Sequence, residues 1–417
     1  MIPPHSGNSG TICISLPPDA HQCLSGLPWH APLDTWQDHG VLLIPVKCGI
    51  SRHVVRFVEN QGRRFAIKET TSDSAMRELA SYELLLRRNI PTIIPTGIVV
   101  RDDGKDVVHT SIGKQPESRV TGYLVTEVME NVVPDSLLFK RGFSTGNRRR
   151  IWDAVIRLFV ELHSNGVYCG DASLANMLIH FRTESVPHLG PRTTLRAILA
   201  DAETLEIHPT ISDRLRLADV EFFLESMLWT EADLQASGVL RDPLVTRDDQ
   251  RYLLQQYMEQ YAINLEMQSF ELVTRIDVDQ LLGNFDVKGY GKLLLQHIQE
   301  HKWYLSERLG KEIPLTEAAS DWYRTIFKPV CRIFTDYGLP DHVPDKTASS
   351  LYVEIMEHKY FMSQSQRRDV GLVAALEDYS KTFGEPEPLN GTLDSILKAL
   401  TMLFQNPYAP LYKDSFA

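Results

Sequence analysis

The sequence predicts an α+β chain. A small antiparallel-sheet lobe carrying one helix runs into a mainly helical large lobe, and an all-α domain follows. Three observations support this. Short β-rich runs crowd the stretch before residue 130. Apolar residues recur near 3.6 spacing from Asn147 onward. Past about residue 231 strand candidates nearly vanish. A chain of 417 residues, 43% of them hydrophobic, is too long for one ordinary core and long enough to bury two. The expected parts are a loose arm over 1–35, a bilobal domain over 36–230 (small lobe about 36–130, large lobe about 131–230) and a helical domain over 231–417.

Each element has a local reason. The opening residues are rich in Pro, Ser, Gly and His without periodicity, which reads as an arm. VLLIPV (41–46), HVVRFVE (53–59) and RRFAIKE (63–69) read as strands, the last two joined by an Asn60-Gln61-Gly62 turn. SDSAMRELASYELLLRR then fits a helix with Ser72 or Asp73 as N-cap, and Pro91 forbids continuation. TGIVVR and GYLVTEVM complete the small sheet. Ile151, Trp152, Val155, Leu158, Phe159 and Leu162 mark a helix that Asn165-Gly166 stops. A loop with Pro187 and Pro191, the strand LRAILADAE and the apolar segment ADVEFFLESMLW follow.

Composition narrows the function classes. A net charge of −11 offers no basic field for a polyanion, so nucleic acid is not an expected partner. Five scattered cysteines without CxxC spacing fit a reducing, cytoplasmic setting better than a disulfide or zinc framework. No apolar run reaches the roughly 18 residues of a membrane span, and the first residues lack the parts of a signal peptide.

The chemistry lies in VYCGDASLANMLI, residues 167–179. Phosphoryl transfer requires that donor phosphates be gripped, their charge neutralised by Mg²⁺, and the acceptor hydroxyl deprotonated in line. Candidates for each task occur in the chain order of the protein-kinase-like fold. FAIK places Lys68 on a strand, where it can reach ATP phosphates, and Glu78 in the next helix can clamp it, with Glu83 as the weaker alternative. YLVTEVME reads as a strand entering a hinge, with Thr126 as gatekeeper and Glu127 to Met129 offering backbone groups to adenine. Asp171 would accept the hydroxyl proton, Asn176 and Asp201 would hold the metal, and Asp219 would brace the catalytic loop. A lone Gly-Asp is an ordinary turn. The signal is the conjunction of these elements at compatible spacing.

The stretches PWHAPLDTW, GISRHVVRFV, AIKE, GDASLANML, DAETLEIHPTISD and HKWYLSE resemble an uncharacterised bacterial family described as a domain of unknown function. That family is placed with the lipopolysaccharide kinases in the protein-kinase-like superfamily. The resemblance spans nearly the whole chain. It implies a bilobal kinase fold using ATP and Mg²⁺, with an unassigned acceptor.

Departures from ordinary kinases shape the expected substrate. GxGxxG is absent; Gly49 stands alone before Ser51 and Arg52, which could supply phosphate donors instead. HRD is here Cys169-Gly170-Asp171, which removes the arginine that receives a phosphorylated activation loop. DFG has become Asp201-Ala202-Glu203. Only 17 residues separate Asp201 from Asp219, with no APE-like closure, so a peptide platform is mostly missing. A sugar, lipid head group or other small hydroxyl compound is the expected acceptor. A catalytically inactive pseudokinase, sensing nucleotide or scaffolding, is the alternative, since both readings keep the same residues.

The second domain contains a repeat: residues 300–326 align without a gap on 357–383, offset by 57. A duplicated helical hairpin with a core of aromatics is the plain expectation, and it could serve oligomerisation. HIQEH (297–301) matches the HxxEH pattern of zinc peptidases, which raises zinc-dependent hydrolysis, or a metal shared by His301 and His358. Core or surface histidine is the simpler reading of each. Arg148-Arg149-Arg150 at a helix start reads as solvated charge, with docking of an anionic acceptor as the rival.

Overall fold

The computed structural model describes residues 12–45, 53–110, 113–134, 145–186, 190–239, 245–276, 290–343, 346–383 and 389–405, with the isolated positions 138 and 243. Two compact units divide the chain, Met1–Tyr261 and Ala262–Ala417. The division falls further along than composition suggests. Position 230 lies inside a helix, and Leu253 and Tyr257, on the next one, are buried in the first unit's core.

The first unit opens with β1 (Ile12–Ser15) and α1 (Pro18–Leu24). After them come β2 (Val55–Asn60), β3 (Arg63–Thr71), α2 (Ser72–Arg87), β4 (Pro95–Thr110) and β5 (Gly113–Glu127). The five strands form one sheet in the order β1-β4-β5-β3-β2, every neighbouring pair antiparallel. The run at 41–46 contributes only an isolated bridge, Leu43 to Val58, and residue 46 lies outside the described residues.

Strand alternation explains what becomes of the supposed arm. Phe65, Ile67, Val99, Tyr123 and Val125 point to one face of the sheet, and a bare apolar face cannot be left in water. Residues 12–39 cover it. Trp29 and Trp36 meet edge to face at 5.0 Å and pack with Tyr123. Buried Arg101 donates to the Trp29 and Ala31 carbonyls at 3.2 and 2.9 Å, tying the cover down. The described part of the arm is therefore structured. Its lack of periodicity reflects irregular packing rather than looseness.

The rest of the first unit comprises β6 (Val132–Pro134), α3 (Thr145–Ser164), β7 (Val167–Tyr168), β8 (Met177–Val186), β9 (Gly190–Leu199), β10 (Glu206–Ile207) and α4 (Asp213–Ala236). The predicted apolar positions of α3 are all buried. Its stop needs glycine: Gly166 has φ +71°, and a Cβ there would stand 2.1 Å from the His208 carbonyl oxygen. β9 begins at Gly190, earlier than expected, because its hairpin with β8 stays paired as far as Val186 and Gly190. Pro191 sits near that end, where little of the ladder is left to break.

Helix α5 (Arg247–Thr274) leads to the second unit, whose described elements are α6 (Gly291–Leu309), α7 (Leu315–Trp322), α8 (Lys328–Asp336), α9 (Ala348–Gln366), α10 (Gly371–Phe383) and α11 (Leu389–Gln405). The fold class is thus α+β followed by an all-α unit. The repeat is two hairpins, α6–α7 and α9–α10, and their polar bonds recur at the same offset. His301 bonds Asp321 at 2.9 Å, and His358 bonds Asp378 at 2.8 Å. Lys302 pairs with Glu312 as Lys359 does with Asp369. Ser306 accepts from Ile313 N–H as Ser363 does from Val370 N–H. Gly310 and Arg367 both end their helices in the left-handed region.

The aromatics of the repeat divide. Trp322 and Tyr379 are buried, whereas Trp303, Tyr360 and Phe361 are exposed. The expectation that the recurring aromatics form a core holds only for the later position, which lies on the inward face of its helix. Among the described residues no helix is long and apolar enough to cross a membrane.

Candidate active site

Lys68 lies on β3, and the alternation that buries Ile67 on one face sends Lys68 to the other, beside the cleft. There Nζ donates to Glu78 Oε2 at 2.9 Å, Glu203 Oε2 at 3.3 Å and Asp201 Oδ2 at 3.4 Å. Three carboxylates around one ammonium set the local electrostatics. Burial pulls the Lys68 pKa down, but the attraction of Glu78, Asp201 and Glu203 outweighs it and leaves it raised. Burial raises the Glu78 pKa, with Lys68 pulling it back and Asp201 adding to the rise.

Helix α2 presents Glu78 because of its phase. The N-cap is Thr71, whose hydroxyl accepts from Ser74 N–H, one residue before the expected caps because β3 runs directly into the helix. Glu78 and Tyr82 then share a face four residues apart. The Tyr82 hydroxyl stands 2.8 Å from both Glu78 Oε1 and the Ala200 carbonyl, so its single proton serves one of them at a time. Glu83 turns outward to Arg87, which decides between the two candidate glutamates.

The 167–179 loop is held from below. Buried Asp219 accepts from Cys169 N–H at 2.7 Å and Gly170 N–H at 3.0 Å, and contacts His163 Nε2 at 3.1 Å. Burial lowers the His163 pKa against the pull of Asp219. The Thr204 hydroxyl donates to the Cys169 carbonyl at 2.6 Å, and Leu174 N–H donates to Ser226 Oγ at 2.9 Å. Gly170 has φ +74°, and a Cβ there would lie 3.1 Å from the Thr204 carbonyl oxygen, which accounts for glycine where ordinary kinases carry arginine. Burial drives the Cys169 thiol pKa well up, so this buried cysteine is no nucleophile.

Asn176 Nδ2 donates to the Asp171 carbonyl at 2.9 Å, while Ala200 N–H donates to the Asn176 carbonyl at 2.9 Å. The second bond places the loop against the end of β9, next to Asp201. Asp201 Oδ1 accepts from Glu203 N–H at 3.0 Å. Carboxylate oxygens of Glu78, Asp201 and Glu203 lie within 4.8 Å of one another. An all-oxygen donor set of this kind suits a hard cation such as Mg²⁺.

Lys68, Glu78, Thr126, Glu127, Met129, Asp171 and Asn176 all line one cleft of about 460 Å³, a size suited to a small-molecule ligand. At the expected hinge, Glu127 N–H donates to the Ile94 carbonyl at 2.9 Å and Val128 N–H to the Arg64 carbonyl at 3.0 Å. The side chain of Glu127 pairs with Arg63 at 2.6 Å. Gly49, Ser51 and Arg52 lie outside the described residues.

Glu203 is the group that sequence reasoning left without a role. Besides Lys68 it meets His53 Nε2 at 3.0 Å. Its place two residues after Asp201 was visible, but its turn toward Lys68 was not. The arginine cluster is engaged: Arg148 faces Asp249 at 3.8 Å, Arg149 lies over Tyr252 at 4.9 Å, and Arg150 donates to the Thr193 carbonyl at 2.5 Å. Arg149 and Arg150 stay exposed, as solvated charge would be, while each also makes a contact within the unit.

Zinc hydrolysis through HIQEH finds no support. His301 is taken by Asp321, and His297 is buried with its ring against Tyr352. Among the described residues the one cluster with metal-ligand geometry is Glu78, Asp201 and Glu203. His301 and His358 each bond within their own hairpin rather than sharing a metal.

Comparison with known proteins gives a partial family match and several distant structural likenesses. Residues 318–383 match the family model described as domain of unknown function (DUF4032). A match to a domain of unknown function is what the sequence resemblance leads one to expect, here over part of the second unit. No curated protein matches the chain.

Among solved structures, WaaP in complex with acyl carrier protein shares 16% identity, over 60% of this chain and 88% of that one, with a TM-score of 0.37. A type VIII aminoglycoside-3'-phosphotransferase shares 15%, over 57% and 98%, with a TM-score of 0.31. The Rio2 kinase ADP/Mg²⁺-phosphoaspartate complex from Chaetomium thermophilum shares 14%, over 57% and 77%, with a TM-score of 0.30. With TM-scores this low, the protein-kinase-like fold of the first unit rests on its own strand order and the Lys68–Glu78 pair.

Proposed function

We propose that the first unit is an ATP- and Mg²⁺-dependent phosphotransferase acting on a hydroxyl of a small, non-peptide acceptor such as a sugar or a lipid head group. The observation that carries this reading is the ion pair of buried Glu78 with the partly buried Lys68, with Asp201 on the same ammonium, beside a cleft lined by Asp171 and Asn176. Burying such charges costs several kcal/mol per ion, a cost that a purely structural pair has little reason to bear.

In this reading Lys68, oriented by Glu78, grips the donor phosphates. Asp201 and Glu203 offer carboxylate oxygens to Mg²⁺, and Asn176 offers Oδ1, its Nδ2 being committed to the Asp171 carbonyl. Mg²⁺, when bound, supplies neutralisation of phosphate charge. Asp171 accepts the proton of the attacking hydroxyl. With the N–H groups of Glu127 and Val128 already committed, the Met129 N–H is the hinge donor for adenine. The short Asp201–Asp219 segment leaves little platform for an extended peptide.

The test is Mg²⁺-dependent ATP consumption by the full chain compared with Asp171→Ala. A large loss in the variant supports a phosphotransferase. Equal rates remove it and leave a nucleotide-binding pseudokinase.

A further inference from the structure

Helix α4 carries Asp219, Phe222, Ser226 and Trp229 at spacings of three, four and three residues, so the four side chains share one face. Two of them, Asp219 and Ser226, bind the catalytic loop through Cys169 N–H, Gly170 N–H and Leu174 N–H. The other two, Phe222 and Trp229, line the cleft together with Asp171, Ser173 and Ala175. Their rings meet at right angles with centroids 5.8 Å apart. The same helix that fixes the loop therefore also fixes two aromatic rings in register with it.

Trp229 is 56% exposed, although most indoles are largely buried. On the loop side, alternate positions Ser173 and Ala175 are small and leave room between the rings and Asp171. The wall is thus apolar on one side and carries a hydroxyl and a carboxylate on the other.

We infer that Phe222 and Trp229 form the acceptor platform of this cleft, seating a saccharide ring by its C–H face so that a ring hydroxyl turns toward Asp171. The inference rests on the phosphotransferase reading and assigns the acceptor end of that site. A pyranose presents an apolar face and a hydroxyl edge at once, which matches both walls. An acyl chain would cover the indole but set hydrocarbon against Asp171 and Ser173, to which it offers no hydrogen bond. An anionic acceptor would meet the Asp171 carboxylate.

The probes are methyl β-D-glucopyranoside, methyl β-D-galactopyranoside and methyl α-D-mannopyranoside, read by saturation-transfer NMR on the full chain with Mg·ADP present. Ring-proton saturation is expected on the wild type for at least one probe. Affinity should fall roughly tenfold in Trp229→Ala, as removal of an aromatic contact allows. It should recover in Trp229→Tyr and stay unchanged in Leu228→Ala, an exposed neighbour outside the cleft lining. Thermal midpoints of the variants separate lost contact from lost fold.

The platform is overturned if no glycoside is saturated on a wild type that binds Mg·ADP, or if Trp229→Ala binds glycoside as well as the wild type. Stronger saturation of 1-hexanol than of every glycoside would point to a lipid acceptor and overturn it too. Failure of the wild type to bind Mg·ADP is a separate outcome, and it sinks the phosphotransferase reading itself.

Discussion

The Lys68 site and the paired hairpins of the second unit hold charged groups in opposite ways. Every member of the His–Asp and Lys–acid pairs in the hairpins finds its partner within 20 residues, and the bonds repeat at a fixed offset. Lys68 instead meets Asp201 and Glu203 across separations of 133 and 135 residues, at a point where burial works against charge. Local pairs satisfy the helices that carry them and need no further explanation. A distant, partly buried convergence has to be maintained by the whole unit, as the proposed reaction centre requires and a hairpin does not.

The comparison is broken most directly at Asp171. Asp171→Ala should lower Mg²⁺-dependent ATP consumption by about 10²–10⁴-fold, the range for loss of a general base, with an unchanged thermal midpoint. Comparable substitution of His358 should leave turnover untouched. Activity that survives in Asp171→Ala would make the first unit's cluster as structural as the hairpins.

Acid should find the second unit's weak point. Burial, with Lys359 nearby, lowers the His297 pKa to about 4, below the ordinary 6.5. A neutral histidine held below its unfolded value contributes stability that is complete above 6.5 and lost as pH falls toward 4. At about 1.36 kcal/mol per pKa unit the loss is on the order of 3 kcal/mol. Chemical denaturation followed between pH 7 and pH 4 should show it, and His297→Gln should flatten the profile.

Glu203→Gln sharpens the distinction within the first unit. If Glu203 holds metal, half-maximal activity should need about tenfold more Mg²⁺, within the range seen when a supporting group at a metal site is lost. An unchanged Mg²⁺ requirement would reduce Glu203 to a partner of Lys68 and His53.

The smallest effect separates the two copies of the repeat. The His301 side chain is 3% exposed and that of His358 is 21% exposed, with Asp321 at 26% and Asp378 at 50%. His358→Ala should cost less than about 1 kcal/mol, as an exposed pair does, and His301→Ala should cost more. Equal shifts in thermal midpoint would mean that burial does not distinguish the copies.

Much of the first unit was legible because its signals are local. β3 and α2 follow from alternation and periodicity, and the spacing from Asp171 to Asn176 is short enough to be read as one loop. Three features were not legible. Residues 12–39 look unstructured alone, and they acquire order only from the sheet face they cover. Glu78 could be preferred to Glu83 but not settled on until the phase of α2 turns one to Lys68 and the other to Arg87. The exposed Trp303 and the buried Trp322 carry the same hydrophobicity, and only packing tells them apart.

The sequence by itself determined the α+β order, the two-part chain, the repeat and the list of groups that phosphoryl transfer would need, since each depends on neighbours a few residues away. The tertiary structure decided which carboxylates surround Lys68, that Ser226 joins the expected Asp219 in binding the 167–179 loop, and that Phe222 and Trp229 open onto the same cleft. Those outcomes depend on distance and desolvation between segments far apart in the chain, and no local pattern encodes either.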